Sequence, residues 1–155
     1  MKRGIIMTQL YPYLAFENTK EALKYYEEVF GATDINRLPV DPSQAEGFGV
    51  SKEEAPDKTM HSEFTIAGVT LFASDAFGKD VKINEGISLL IDYDINDEAD
   101  SKRVEDLYNK VKDNDTVDVD MPLEEQFWGG KMGSFTDKYN VRWMLHGQDH
   151  SKQQG

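Results

Sequence analysis

MPLEEQFWGGKMGSFTDKYNVRWML, residues 121–145, sets an aromatic pair against two glycines and then runs through a turn into a last apolar strand. The turn Asp137-Lys138-Tyr139-Asn140 joins the segment around Lys131–Thr136 to the run Val141–Leu145. Asn140 is expected to take a left-handed backbone there, which Asn tolerates better than most residues. Phe127 and Trp128 would each bury on the order of 150–250 Å², so they belong to a core or to a pocket wall.

Upstream of that stretch, Thr116–Met121 alternates Val with Asp, as a half-exposed strand does. Asp97–Lys112 places Val104, Leu107, Tyr108 and Val111 on one helical face, and Ile87–Tyr93 reads as a strand before it. The N-terminal half repeats the order. Leu10–Phe16 reads as a strand buried on both sides, with Pro12 placing it at an edge or at its own start. Asn18 is expected to cap a helix whose apolar set is Ala22, Leu23, Tyr25, Tyr26, Val29 and Phe30, with Glu21 in the capping box and Gly31 as the stop. Ala32–Val40 is a second strand, and Asp41–Lys58 reads as a long loop without periodicity. His61–Ile66 alternates, Ala67-Gly68 turns, and Val69–Ser74 completes a hairpin. The order is β-α-β-β-β twice over, an α+β topology repeated without repetition of sequence.

Composition narrows the function. The 155 residues carry a net charge of −12, which argues against nucleic acid and against an anionic membrane face. No apolar run reaches the roughly 18–20 residues of a membrane span, and the first ten residues lack the apolar stretch of a signal peptide. With no cysteine there is no disulfide, thiolate metal site or Cys nucleophile, and a cytoplasmic location is the expectation. Asp92-Tyr93-Asp94-Ile95-Asn96 opens like an EF-hand loop, but Asp97 and Arg103 stand where Gly and Glu are required. The acidic clusters therefore read as solvated, helix-capping charges.

Four stretches carry a resemblance: YPYLAFENTKEALKYYEEVFGA (11–32), MHSEFTIAGVTLFASD (60–75), MPLEEQFWGGKMGSFTD (121–137) and DKYNVRWML (137–145), most specifically through Gln126-Phe127-Trp128-Gly129 and Met60-His61-Ser62-Glu63. Together they resemble the PhnB-like branch of the glyoxalase/bleomycin-resistance/dioxygenase superfamily, the vicinal oxygen chelate proteins. Some members are labelled 3-demethylubiquinone-9 3-methyltransferase-like, yet the chain has no Gly-rich strand–loop–helix motif for a nucleotide-like methyl donor. The resemblance implies two βαβββ modules, residues 9–76 and 86–147, forming a cupped sheet around a cavity in a single domain. Residues 1–8 would be an N-terminal extension and 148–155 a polar tail. It also implies a homodimer, whose facing modules come from one chain or from two.

Relatives that hold a divalent ion use His, Gln or Glu at four inward strand positions. The resemblance places those positions at Tyr11, at or near Phe72, at or near Ser88, and at Met144, none of them a good ligand. We therefore expect no metal and no cofactor.

Two chemical functions remain open, beside a purely structural role in which the fold merely pairs subunits. One is a binding module for a small, partly aromatic molecule, with Tyr11, Tyr13, Phe72, Gln126, Phe127, Trp128 and Trp143 as ligand-binding residues. The other is an enzyme (transferase, lyase or isomerase) using His61 and Glu63, two apart on one strand face, for acid–base chemistry. The His-x-Glu spacing also occurs in zinc deaminases, but their cysteine ligands are absent. Arg142 faces opposite to Trp143 and is expected to meet a surface carboxylate; His146 and His150 read as surface residues in the tail.

Overall fold

The computed structural model describes residues 8–83 and 86–153, with side chains through 151. Most of the expected N-terminal extension and the last two residues of the tail lie outside the described residues. The elements are β1 (Tyr13–Phe16), α1 (Thr19–Phe30), β2 (Thr33–Pro39), β3 (Thr59–Ile66), β4 (Val69–Asp75), β5 (Ser88–Asp94), α2 (Glu98–Val111), β6 (Asp118–Glu125), β7 (Lys131–Thr136) and β8 (Arg142–Gln148). They form two open four-stranded sheets of identical order, β1-β4-β3-β2 and β5-β8-β7-β6. In each, the first strand runs parallel to the last and the remaining pairs are antiparallel. The duplicated βαβββ, α+β architecture read from the sequence is the observed one.

Local chemistry explains the boundaries. The Asn18 side chain accepts from the Glu21 amide at 3.1 Å, and Gly31 ends α1 at φ 72°. Ala67 and Gly68 both lie at positive φ (48° and 85°), as a two-residue type I′ hairpin demands. Asn140 sits at φ 65°, the left-handed position expected of it. β1 starts just after Pro12 and lies at a sheet edge, where a missing N–H costs nothing. It is shorter than expected and covered on one side only: Tyr13 is 53% exposed.

Two other expectations are corrected. Asp41–Lys58 contains 3₁₀ turns at Pro42–Phe48 and Ala55–Asp57, whose Ala45 and Ala55 bury with Val40 in a satellite core. β8 runs on to Gln148 and is followed by a 3₁₀ turn at His150–Gln153, so His146 is a strand residue and not part of a loose tail.

Alternation gives each sheet a covered and an open face. Phe64, Ile66, Leu71 and Ala73 of the first sheet, and Ile91, Tyr93, Phe135, Trp143 and Leu145 of the second, join both helices in one core. α1 lies between the sheets: Tyr26 stacks on Phe64 at 5.5 Å while Phe30 meets Trp143 at 5.4 Å and Phe135 at 5.8 Å. Buried Asp137 ties this layer together, accepting from the Tyr26 hydroxyl (2.6 Å), the Trp143 indole N–H (3.0 Å) and the Tyr139 and Val141 amides (2.8 and 3.1 Å). The open faces of the two sheets consequently look away from each other.

This core makes a pH prediction. Burial raises the phenols of Tyr25, Tyr26, Tyr93 and Tyr139 above 10.0, those of Tyr93 and Tyr139 to about 12. Between those values the unfolded chain has released protons that the folded chain keeps. Stability is therefore complete below pH 10 and falls as pH rises toward 12, by up to about 1.4 kcal/mol per pH unit for each phenol. The urea midpoint should drop steadily across that window; a level midpoint would contradict burial of these hydroxyls.

Candidate functional site

The open face of the first sheet is built by register. Tyr13 pairs with Phe72 across β1–β4, and Phe72 pairs with Glu63 across β4–β3, so these three share one row. His61 lies on the same face one row away, opposite Leu38. Tyr11, just before β1, brings its ring to 4.6 Å from Phe72. Tyr13 and His61 rings lie 6.1 and 5.2 Å from Phe72, and the Tyr13 hydroxyl is 2.9 Å from His61 Nδ1. Tyr11, Tyr13 and Leu38 stay 41%, 53% and 51% exposed, an apolar surface facing solvent. Glu63 is exposed on that face, and among the described residues no hydrogen bond joins it to His61. His61 is engaged by Tyr13 instead.

On the second sheet, Leu90 pairs with Met144 and Asp92 with His146, while Met132 and His146 face each other across β7–β8. The Gln126–Gly129 turn is closed by Gln126 accepting from the Gly129 amide at 3.0 Å, and Gly129 takes φ 97°. Trp128 then folds back over Gly130, where a Cβ would run into the indole and the Gly147 carbonyl, so only glycine admits this pose. The indole stacks on the His146 imidazole at 5.2 Å and 25°.

The expected aromatic trio is split. Trp128 lies on the open face; Phe127 projects fully into solvent from the turn; the Gln126 amide donates to the Glu124 carbonyl at 3.2 Å. Trp143 lines neither open face, because its position in β8 points into the core, where it is 1% exposed and bonded to Asp137. Arg142 takes the open side and meets Asp120 at 3.8 Å. Missed from the sequence was the pairing of His146 Nδ1 with Asp92 Oδ1 at 2.8 Å. The signal available was strand alternation continued past Leu145, which puts His146 on the face of Met144.

The superfamily's metal positions do not fit a metal here. Tyr11 and Phe72 are aromatic rings in tilted contact, Ser88 lies beside Arg142, and Met144 offers a thioether beside Leu90. The pairs also sit on faces that look apart. Among the described residues no group of three or more His, Asp or Glu is arranged to hold an ion. An open cleft of about 1180 Å³ lies elsewhere, between the start of α1, the 76–83 loop and the 138–140 turn. Its Lys58, Lys79, Lys82 and Lys138 share the wall with Glu17, Glu21 and Asp80, a mixed lining in which Lys82 lies 4.0 Å from Asp80.

Comparison with known proteins agrees with this geometry. Residues 8–146 match the family described as 3-demethylubiquinone-9 3-methyltransferase. The chain belongs to that family, within the vicinal oxygen chelate superfamily. It is similar to Protein YjdN of Escherichia coli (strain K12), with 27% identity over 147 residues covering 88% of this chain and 93% of YjdN. Protein PA1353 from Pseudomonas aeruginosa, solved by crystallography, is 28% identical and superposes with TM-score 0.59 over 92% of this chain and 98% of its own. A PhnB protein from Bacillus cereus, described as a putative 3-demethylubiquinone-9 3-methyltransferase, shares the fold at 20% identity and TM-score 0.59, with 91% and 100% covered.

Proposed function

We propose that this member of the family is a metal-free binding protein for a small, partly aromatic molecule. In this reading two copies bring the first sheet of one against the second sheet of the other to form the cavity. The observation that carries it is the contiguous ring surface of Tyr11, Tyr13, His61 and Phe72, left open to solvent by its own chain. The second sheet supports it with a matching apolar surface, where Leu90, Met121 and Trp128 are 49%, 43% and 44% exposed. A cytoplasmic site of action fits a chain without cysteine. No helix among the described residues is long and apolar enough to cross a membrane.

At a concentration near 100 times its dissociation constant, a bound aromatic should stabilise the fold by about 2.7 kcal/mol, raising Tm by roughly 5–10 °C. With indole and 4-nitroanisole as probes, this shift should be large for wild type and much smaller for Trp128→Ala. Equal shifts in both proteins would count against the pocket.

The Tyr13–His61 hydrogen bond favours a second reading, an enzyme (transferase, lyase or isomerase) with His61 as acid or base and Glu63 on the same face. For any turnover found, His61→Ala should abolish it; unchanged turnover removes His61 from the chemistry.

A further inference from the structure

We propose that His146 is the proton acceptor for an acidic hydroxyl, a phenol or an enol, bound against Trp128 on the open face of the second sheet, with Asp92 as its positioning residue. An ionised carboxylate can only accept hydrogen bonds. Asp92 Oδ1 lies 2.8 Å from His146 Nδ1 and accepts from the Gln148 amide at 2.9 Å. Its Oδ2 lies 2.9 Å from His150 Nε2, which the 3₁₀ turn after β8 brings over the strand and encloses. Two hydrogen bonds thus hold Oδ1, and the His150 imidazole stands against Oδ2 without hydrogen-bonding it.

The proton on His146 is thereby assigned to Nδ1, and the neutral ring presents the Nε2 lone pair. This is the base-and-orienter arrangement that proton transfer requires. Trp128 stacked on the imidazole fixes the ring plane and offers a flat apolar surface beside the acceptor. The two preferences, for a planar body and for a hydroxyl proton, define the ligand class. In the step itself the hydroxyl proton passes to Nε2, leaving an oxyanion beside an imidazolium whose charge lies 2.8 Å from Asp92. Arg142, two rows along the same face, is already taken up by Asp120.

The proposal rests on the cavity reading for the ligand's aromatic body, and two measurements separate the two. The first needs no ligand: nitrogen-15 NMR of the imidazoles should find His146 with Nδ1 protonated and Nε2 bare, with Asp92→Asn raising the share of the opposite tautomer. An Nε2–H tautomer in wild type would overturn the proposal. The second compares 4-nitrophenol with its methyl ether, 4-nitroanisole, which has no proton to give. Wild type should prefer the phenol by roughly tenfold, the worth of one charge-assisted hydrogen bond, and His146→Phe should bring the ratio to about one. Equal affinities in wild type would overturn the proton acceptor and leave the aromatic cavity standing. Binding of neither probe would overturn both.

Discussion

Asp137→Ala is expected to cost about 3–5 kcal/mol of stability, an effect seen when a buried, fully engaged polar group is removed. The carboxylate gathers four donors from three directions: α1, the turn after β7, and β8. Alanine would strand the Tyr26 hydroxyl and the Trp143 indole N–H, on residues 0% and 1% exposed, where water cannot replace the lost acceptor. Burial holds the Asp137 carboxyl above its ordinary range even with these donors, so the four bonds offset only part of the cost of enclosing it. Asp137→Asn keeps the shape and one acceptor but turns N–H groups toward other donors, and should lose about half as much. Urea unfolding measures both, and a loss below about 1 kcal/mol for the alanine variant would contradict this account.

Trp143→Ala should be as severe, about 3–5 kcal/mol, and should act on folding alone. The indole packs against Phe30, stacks over Phe135 at 14°, and donates to Asp137. Trp128→Ala removes a half-exposed ring, so its stability cost should be far smaller while the response to aromatic probes is lost. Denaturant midpoints and ligand shifts measured on the two variants separate a core tryptophan from a wall tryptophan. Trp143 and Asp137 share a bond, so the double variant should lose less than the sum of the singles.

That contrast marks how far the sequence could be read. Alternation tells which strand residues share a face but not which face is covered. Trp143 and Met144 were thus separable, while the choice of Trp143 for the cavity went to the wrong side. Features governed by one or two residues were legible: the Asn18 cap, the Gly31 stop, the Ala67-Gly68 hairpin and the left-handed Asn140. The 42–57 segment was not, because a core of Val40, Ala45 and Ala55 has no period to detect.

Gly147 hid the end of β8. It looks like the start of a polar tail, yet glycine is there because a Cβ would stand 2.5 Å from the Tyr93 ring and 2.7 Å from Ile95. With the strand ended too early, His146 lost its face and Asp92 its partner. The neighbouring acidic residues do cap and turn the chain as expected, Asp97 accepting from the Asp100 amide and Asp94 from the Asn96 amide. Asp92 differs because it lies inside β5 with His146 opposite it, whereas Asp94 ends the strand.

The account turns on whether the two open faces are meant for a second copy. Sedimentation equilibrium on wild type and on Leu90→Lys, a charge placed at the centre of the second sheet's apolar surface, tests it most directly. The account predicts twice 17.6 kDa for wild type and a shift toward 17.6 kDa for the variant. A wild-type mass of 17.6 kDa at every concentration would contradict it.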